Sequence, residues 1–335
     1  MTPLPHQVDL SVIVLNWNSV QYLPGCLDSI AGAAGEVSYE TIVVDAGSYD
    51  GSAELIQQRY PSVTFIQLHT NRGYSAGNNE AAAHASGKHL LFLNPDTTLG
   101  VGAIRAALAV AKQRADAGAI GACLRNSDGT IQDSAVQAFP RPLIKAVDSK
   151  WLRRKPALSH LWGNDALFAR PCRVAPVDAV SGAFLMVDTR RFRSVGGFDE
   201  NYFMYSEDVD LCYRLMRHGW PSYLSHGSDV IHFGGGCATS APSAFASVMQ
   251  REATWRFFLK HQGYVCACRY RALILISALT RCAVAMTARM LLCRTRVWTD
   301  HDAAALATIK KWSAIMQWTV GRSAIVRSHY NRPGR

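Results

Sequence analysis

Five places in the chain set reactive side chains where they could do chemistry. Asp45 closes the apolar run in TIVVDAGS. A carboxylate at a strand end can accept the N–H of a pyrimidine base; followed by Gly47 and Gly51, it also suits a turn or a helix cap. Asp96 follows HLLFLN through Pro95, which stiffens the turn. One carboxylate there can hold Mg2+ or Mn2+ against a substrate diphosphate, because hard cations need few protein ligands when phosphates supply the rest. It can equally cap a helix beginning near Gly100. NRGYSAGNN, residues 71–79, places Gly73, Gly77 and Asn78 after a third apolar run. Small residues let backbone approach a phosphate or nucleoside, and the following helix offers free amides; a plain Gly/Asn turn has the same composition. Glu207, Asp208 and Asp210 cluster at a helix start, where they suit the helix dipole or, in one case, the removal of a proton from an incoming hydroxyl. His232 ends an apolar run and precedes three glycines, a setting for a structural histidine or for one that faces a ligand.

The elements around these residues alternate. Apolar, β-branched runs at 10–15, 41–45, 63–68 and 89–94 read as strands, and 22–31, 52–60 and 79–87 read as helices between them. This alternation predicts a parallel, doubly wound α/β sheet. Ligands of such sheets bind beyond the carboxyl ends of the strands, which selects Asn16, Asp45, Asn94 and Asp96 from topology. A helix near 102–117 and a strand near 119–124 follow. Residues 125–178 are rich in Pro, Trp and basic residues without a clear period, as in a long loop region that shapes an acceptor pocket. A strand after Ser181, a helix from Glu207 and two short strands ending at His232 complete the pattern.

The chain has 335 residues, is 49% hydrophobic and carries nine cysteines, with no C-x-x-C pair. That composition excludes a disordered chain, a zinc ribbon and a secreted disulfide framework. No G-x-G-x-x-G or G-x-x-x-x-G-K-[ST] motif occurs, which disfavours a dinucleotide site and a P-loop. The N-terminus lacks the features of a signal peptide. The net charge of +10 is local: from Arg251 onward there are 15 basic and 3 acidic residues. Residues 271–296 hold an apolar run interrupted by Arg281 and Arg289, in pieces too short to span a bilayer. At about 100° per residue, Arg271, Arg281, Arg289 and Arg296 share one side of a helix, which suits a membrane interface or docking on the protein itself. Aromatic residues are not interleaved in a nucleic-acid-binding motif, so no nucleic acid is expected. The expected domains are 1–247, catalytic, and 248–335, a basic amphipathic helical extension.

In sequence order, VIVLNWN, VVDAGSYDGS, NRGYSAGNN, LFLNPDT, VSGAFLMVDTRRFRSVGGFDENYFMYSEDVDLCYRLMRHGW and HFGGG resemble the inverting family 2 glycosyltransferases, closest to their bacterial rhamnosyltransferase-like branch. The resemblance spans about residues 8–265. It implies a glycosyltransferase-A fold, a mixed, mostly parallel sheet flanked by helices, with a membrane-associating helical extension. It implies that Asp45 contacts the base of a nucleotide sugar, that Asn16, Gly73, Gly77, Asn78 and Asn94 line the donor site, and that Asp96 stands at the metal position of the family's Asp-x-Asp element, here Asn94-Pro95-Asp96. His232 matches the histidine near metal and diphosphate, Asp208 the general base and Glu207 its partner; the ion is Mg2+ or Mn2+. The implied reaction is transfer of one sugar from a nucleotide sugar, dTDP-rhamnose first and a UDP- or GDP-sugar otherwise. The implied acceptor is a lipid-diphosphate-linked saccharide at the cytoplasmic face of the inner membrane. A nucleotide-sugar-binding protein without catalysis is the alternative. Two departures from the family pattern stand out: Ala46 replaces a common Asn, and the Gln-x-x-Arg-Trp motif of processive synthases is absent.

Overall fold

In the computed structural model, which describes residues 8–148, 152, 158–167, 174–234, 243–294 and 300–326, the fold is organised around β1 (Val8–Asn16). Leu10 to Val14 are entirely buried. That is the signature of a strand covered on both faces, as parallel sheets require. β1 pairs in parallel with β2 (Tyr39–Asp45) on one side and β4 (Gly87–Leu93) on the other; β2 in turn pairs in parallel with β3 (Thr64–Gln67).

Beyond β4 the sheet changes direction. The remaining strands are β5 (Thr97–Leu99), β6 (Ala119–Arg125), β7 (Val136–Gln137), β8 (Val174–Val177), β9 (Ala179–Val180), β10 (Phe184–Asp188) and β11 (Ser222–His232). The sheet runs β3-β2-β1-β4-β10-β6-β11-β5, with β8 also on β11 and with β7 and β9 forming a separate pair. β10 is antiparallel to both neighbours, while β6 and β11 are parallel to each other. The start of β10 therefore lies at the same edge as the ends of β1, β2, β4 and β11.

Helices cover both faces. α1 (Leu23–Ala34), α2 (Ser52–Arg59) and α4 (Ala103–Gln113) pack on the face presented by Val12 and Val14. α3 (Tyr74–His84) packs on the opposite face, where the Gly77 position leaves no room for a Cβ against Leu15. α5 (Pro142–Val147) and α6 (Ser159–Trp162) lie within the long irregular region, and α7 (Thr189–Ser194) follows β10 with Asp188 as its N-cap. α8 (Glu207–Arg217) is followed by β11. Phe92, Phe192 and Phe198 interlock beside α7 with ring centres 4.7–5.4 Å apart.

Two compact units emerge. The first holds the sheet and runs to Thr239; the second holds residues 140–149, 204–206 and 240–335. In the second unit α9 (Ser243–His261), α10 (Tyr264–Arg294) and α11 (Asp300–Thr319) pack together with α5, around buried Phe257, Phe258, Tyr270, Ile274, Trp312, Ile315 and Trp318. The boundary expected at residue 247 falls inside α9.

Four sequence expectations change. α3 begins at Tyr74, five residues before the expected start, because the glycines of NRGYSAGNN serve helix packing rather than a loop. The two short strands before His232 are one strand, β11, whose register against β6 slips between Ser225 and Asp229. The apolar tail forms one continuous helix whose stretch Tyr264–Met290 is, by length and composition, long enough to cross a membrane, because arginine does not break a helix. Finally, Arg271 and Arg281 point at tryptophans of the other helices of their unit, on the side of buried Ile274 and Ala278, while Ile276, Leu279, Val284, Met286 and Met290 face outward. The stripe expected at a membrane interface is thus turned inward; Arg296 lies outside the described residues.

Gly73 ties fold to site. Its φ of +92° is open essentially to glycine alone, and a Cβ there would stand 2.3 Å from the Phe203 carbonyl oxygen, which accepts the Tyr74 N–H. Gly73→Ala is expected to cost about 2 kcal/mol or more through strain and steric conflict. Calorimetric melting should show a Tm lower by several degrees; an unchanged Tm would remove the close approach.

Candidate active site at the carboxyl edge of the sheet

Three neighbouring strand ends meet at Asp45. Asn16 and Gln67 are its register partners on β1 and β3. Asn16 Nδ2 and Ser48 Oγ both donate to Asp45 Oδ1 at 2.6 Å. Ser48 N and Gln67 Nε2 donate to Oδ2 at 2.9 and 2.6 Å. The carboxylate is fully buried and its four acceptor directions are filled, so its direct work is to organise the loops around it. Asn16 is fully buried too, and its Oδ1 has no hydrogen-bond partner. Ser48 and Gln67 were not singled out from sequence, because a serine in a turn and a glutamine at a strand end carry no signal until the pairing register is known.

Gly73, Gly77 and Asn78 lie on the neighbouring segment. The space that their small side chains leave is filled by the protein: Phe203 at Gly73 and Leu15 at Gly77. Asn78 is buried and donates to the Tyr74 carbonyl oxygen at 3.0 Å inside its own helix.

Asn94, Asp96 and His232 do come together. His232 Nε2 is 3.3 Å from Asp96 Oδ1 and 3.4 Å from Asn94 Nδ2. Asp96 is largely buried and its carbonyl oxygen accepts the Phe233 N–H at 2.9 Å. Gln132 settles the histidine's orientation. Its Nε2 donates to Asn126 Oδ1 (2.8 Å) and to the His232 carbonyl oxygen (2.5 Å), so its Oε1 is the atom facing His232 Nδ1 at 2.9 Å. Nδ1 then carries a proton, and in the neutral imidazole Nε2 turns a lone pair toward Asp96. Lone pairs of an imidazole and a carboxylate that face each other suit a shared cation. A donor from behind that fixes the tautomer is the usual support of a metal-binding histidine. Among the described residues no cluster of three or more His, Cys, Asp or Glu could hold an ion. Two protein ligands fit a cation that takes its other ligands from phosphates and water. Gln132 went unnoticed in the sequence because it stands in an aperiodic stretch. Gly235 and Gly236 lie outside the described residues.

The acidic cluster separates into three different groups. Asp210 is fully buried, receives Arg214 Nε at 2.7 Å and faces the Tyr202 hydroxyl at 3.4 Å. That ion pair commits it to structure. Asp208 lies at the start of α8, with Oδ2 accepting the Gly182 N–H at 3.0 Å and Oδ1 accepting the Val209 N–H at 2.8 Å. Glu207 is 7% exposed and its Oε2 has no hydrogen-bond partner. Burial first, and then the charge of Asp208, push the Glu207 carboxyl well above the ordinary carboxylate range. Tyr74 adjoins both: its hydroxyl donates to the Gly182 carbonyl oxygen at 2.8 Å, and burial plus the Glu207 and Asp208 charges push it well above its ordinary value. The backbone just before Glu207 is unusual, with Tyr205 and Ser206 both at positive φ, 69° and 61°. Two such non-glycine residues cost about 1–3 kcal/mol each and mark a segment held for function.

The arrangement offers a hydrogen-bonded carboxylate at one strand edge, a facing carboxylate and imidazole at another, and an organised loop wall between β1, β2 and β3. The family described as "Glycosyl transferase family 2" matches residues 11–172. An N-acetylglucosaminyl-diphospho-decaprenol L-rhamnosyltransferase of Mycobacterium tuberculosis (strain ATCC 25618 / H37Rv) is 33% identical over 236 residues, covering 67% of this chain and 75% of that protein. Rhamnosyltransferase WbbL of Escherichia coli (strain K12) is 25% identical, over 66% of this chain and 82% of its own. The solved structure of mannosyltransferase PcManGT from Pyrobaculum calidifontis, in complex with GDP-Man and Mn2+, superposes with a TM-score of 0.55 at 14% identity over 93% of this chain and 87% of that one. The sheet order, the strand-end carboxylates and these likenesses agree: the chain belongs to the family 2 glycosyltransferases, is rhamnosyltransferase-like, and carries out glycosyl transfer on a glycosyltransferase-A fold.

Proposed function

We propose that the protein transfers a single rhamnose, with inversion, from dTDP-rhamnose to a lipid-diphosphate-linked saccharide in surface polysaccharide synthesis, at the cytoplasmic face of the inner membrane. The donor sugar and the lipid-linked acceptor are supported by the names of the relatives, one a rhamnosyltransferase acting on a diphospho-decaprenol saccharide. The carrying observation is the division of the acidic cluster. Asp210 is neutralised by Arg214 and Glu207 is held toward its protonated form, which leaves Asp208 as the carboxylate available to take a proton.

In this reading the Asp208 carboxylate removes the acceptor hydroxyl proton while that oxygen attacks the anomeric carbon from the face opposite the leaving nucleoside diphosphate. One displacement inverts the configuration and needs no covalent intermediate. The Gly182 and Val209 amides orient the carboxylate. Glu207, its carboxyl pushed above the ordinary range by burial and the Asp208 charge, fills the neighbouring space. Asp45 acts on the donor side through Asn16, Ser48 and Gln67, shaping the wall against which the nucleotide lies, with Asn94 beside it; Gly73, Gly77 and Asn78 serve it indirectly, by holding α3 in place. Asp96 and His232 would hold Mg2+ or Mn2+, the latter present in the mannosyltransferase structure. When bound, the ion neutralises charge on the departing diphosphate. Membrane placement is supported by the outward apolar residues of α10.

Three outcomes test this reading. Asp208→Asn keeps size and removes the base, so turnover should fall by about 10²–10⁴-fold, with donor affinity by calorimetry nearly unchanged. Near-normal turnover would overturn the assignment. Gln132→Leu frees the His232 ring; Mn2+ binding in the presence of the nucleoside diphosphate, followed by electron paramagnetic resonance, should weaken by about 10–100-fold. Unchanged Mn2+ affinity would remove His232 from the site. Glu207 has a folded-state pKa raised above its unfolded value, so it favours the fold fully below the unfolded value and progressively less as pH rises toward the folded one. Glu207→Gln, which copies the protonated form, should leave Tm unchanged near pH 4 and raise it increasingly toward pH 8; a pH-independent difference would show that the burial penalty is absent.

A further inference from the structure

The second unit carries an excess of part-buried positive charge. Arg281 lies with its guanidinium carbon 4.7 Å from the centre of the Trp312 ring, and Arg251 lies 5.0 Å from the same ring. Arg271 stands over Trp255 at 4.4 Å and Trp318 at 5.1 Å. Stacking on an indole stabilises a cation but leaves the N–H fork of the guanidinium largely unused. Arg251 Nη1 donates to the Ser247 carbonyl oxygen at 2.7 Å, and Arg281 Nη2 to that of Asp148 at 3.4 Å. The buried Nε atoms of Arg251 and Arg271 and the buried indole N–H of Trp255 have no acceptor.

Counter-charge is scarce here. Glu252 is taken by Arg256 Nε at 2.9 Å and by Trp318 Nε1 at 2.8 Å. Asp148 acts on Arg251 through space, and among the described residues none of Arg251, Arg271 and Arg281 forms an ion pair. Burial pulls the Arg251 guanidinium below its ordinary value; the Arg281 charge adds to this, while Tyr270 and Asp148 oppose it. Each of the three arginines keeps part of its surface exposed. Along the same helix Ile276, Leu279, Val284, Met286 and Met290 are at least half exposed.

We propose that Arg251 and Arg281, which share the Trp312 ring, form a binding site for a phosphate group carried on a lipid. Guanidinium forks fit phosphate oxygens bidentately, and the orphaned donors supply the hydrogen bonds that a phosphate accepts. The exposed apolar residues on the opposite side of α10 place the unit at a lipid surface, which a free phosphate would not need. The shared chemistry is a lipid phosphate, whether the headgroup of a bilayer phospholipid or the diphosphate of a prenyl carrier. The proposal rests on the membrane placement given above but not on the transfer reaction.

The test is flotation of the full chain with three kinds of vesicle: phosphatidylcholine alone, phosphatidylcholine with phosphatidylglycerol, and phosphatidylcholine with farnesyl diphosphate. The wild type should bind at least one of the two anionic mixtures about tenfold more tightly than phosphatidylcholine alone, whose phosphate is offset by choline. Arg251→Gln/Arg281→Gln should lose that gain, with neutral-vesicle binding and Tm unchanged, and Arg190→Gln on α7 should keep it. Arg251→Lys/Arg281→Lys, which keeps charge but not the fork, serves where the first variant fails to fold and should lose most of the gain. A gain with phosphatidylglycerol alone identifies the phospholipid, and one with farnesyl diphosphate alone identifies the carrier. A wild type that ignores every vesicle overturns both this site and the membrane placement. A wild type that binds, with the full gain kept in the double variants, overturns the site alone.

Discussion

A carboxylate with no exposure to water must be supplied with donors, and at Asp45 that demand fixes the edge of the sheet on which everything else is arranged. An unpaired buried charge would cost more than most single contacts contribute. Its donors come from the end of β1, the turn after β2 and the end of β3, and two of them are its own register partners. A slip of one residue in either pairing would turn Asn16 or Gln67 to the other face and strand the charge. The hydrogen bonds thus lock three strand ends level, and the loops beyond them inherit that alignment.

The reversal of β10 makes a second demand at the same edge. An antiparallel strand among parallel ones brings its beginning, not its end, to the catalytic side, so the Ser181–Ala183 turn arrives beside Asn94, whose N–H bonds the Ala183 carbonyl oxygen at 3.1 Å. Gly182 can then present its N–H to Asp208 and its carbonyl oxygen to Tyr74. Glycine suits the position because a Cβ would meet the Tyr74 hydroxyl at 2.8 Å. The sheet topology, rather than any local propensity, joins the donor-side helix α3 to the carboxylate at the start of α8.

What the sequence revealed follows the same division. Strands β1, β2 and β4 were legible because a doubly covered strand must be apolar throughout, and the edge strand β3 from its β-branched and aromatic run; strand ends then pointed to Asn16, Asp45, Asn94 and Asp96. The start of α3 was not legible, since glycine and asparagine read as a turn unless the strand that packs against Gly77 is known. Gln132 was hidden for a similar reason: its partners lie 6 and 100 residues away. In the tail, periodicity correctly put Arg271 and Arg281 on one side of a helix but could not tell which way that side turns. Indoles on α9 and α11 offered the cations a better face than water did, and the apolar residues were left outside.

Three acidic residues within one helical turn would ordinarily repel each other, and their separation into unlike states explains how the cluster can exist and act. Arg214, one turn along α8, pairs with Asp210 and cancels its charge inside the core. Burial, and then the charge of its neighbour, push the Glu207 carboxyl upward. Only Asp208 is then required to carry charge, and the helix terminus and two amides are arranged to bear it. Each arrangement requires the others. Without Arg214, the Asp210 charge would oppose that of Asp208. With Glu207 ionised, a second negative charge would compete for the acceptor proton. In the proposed single displacement one base suffices, and the unlike surroundings of the three carboxylates are what fit Asp208 for that part.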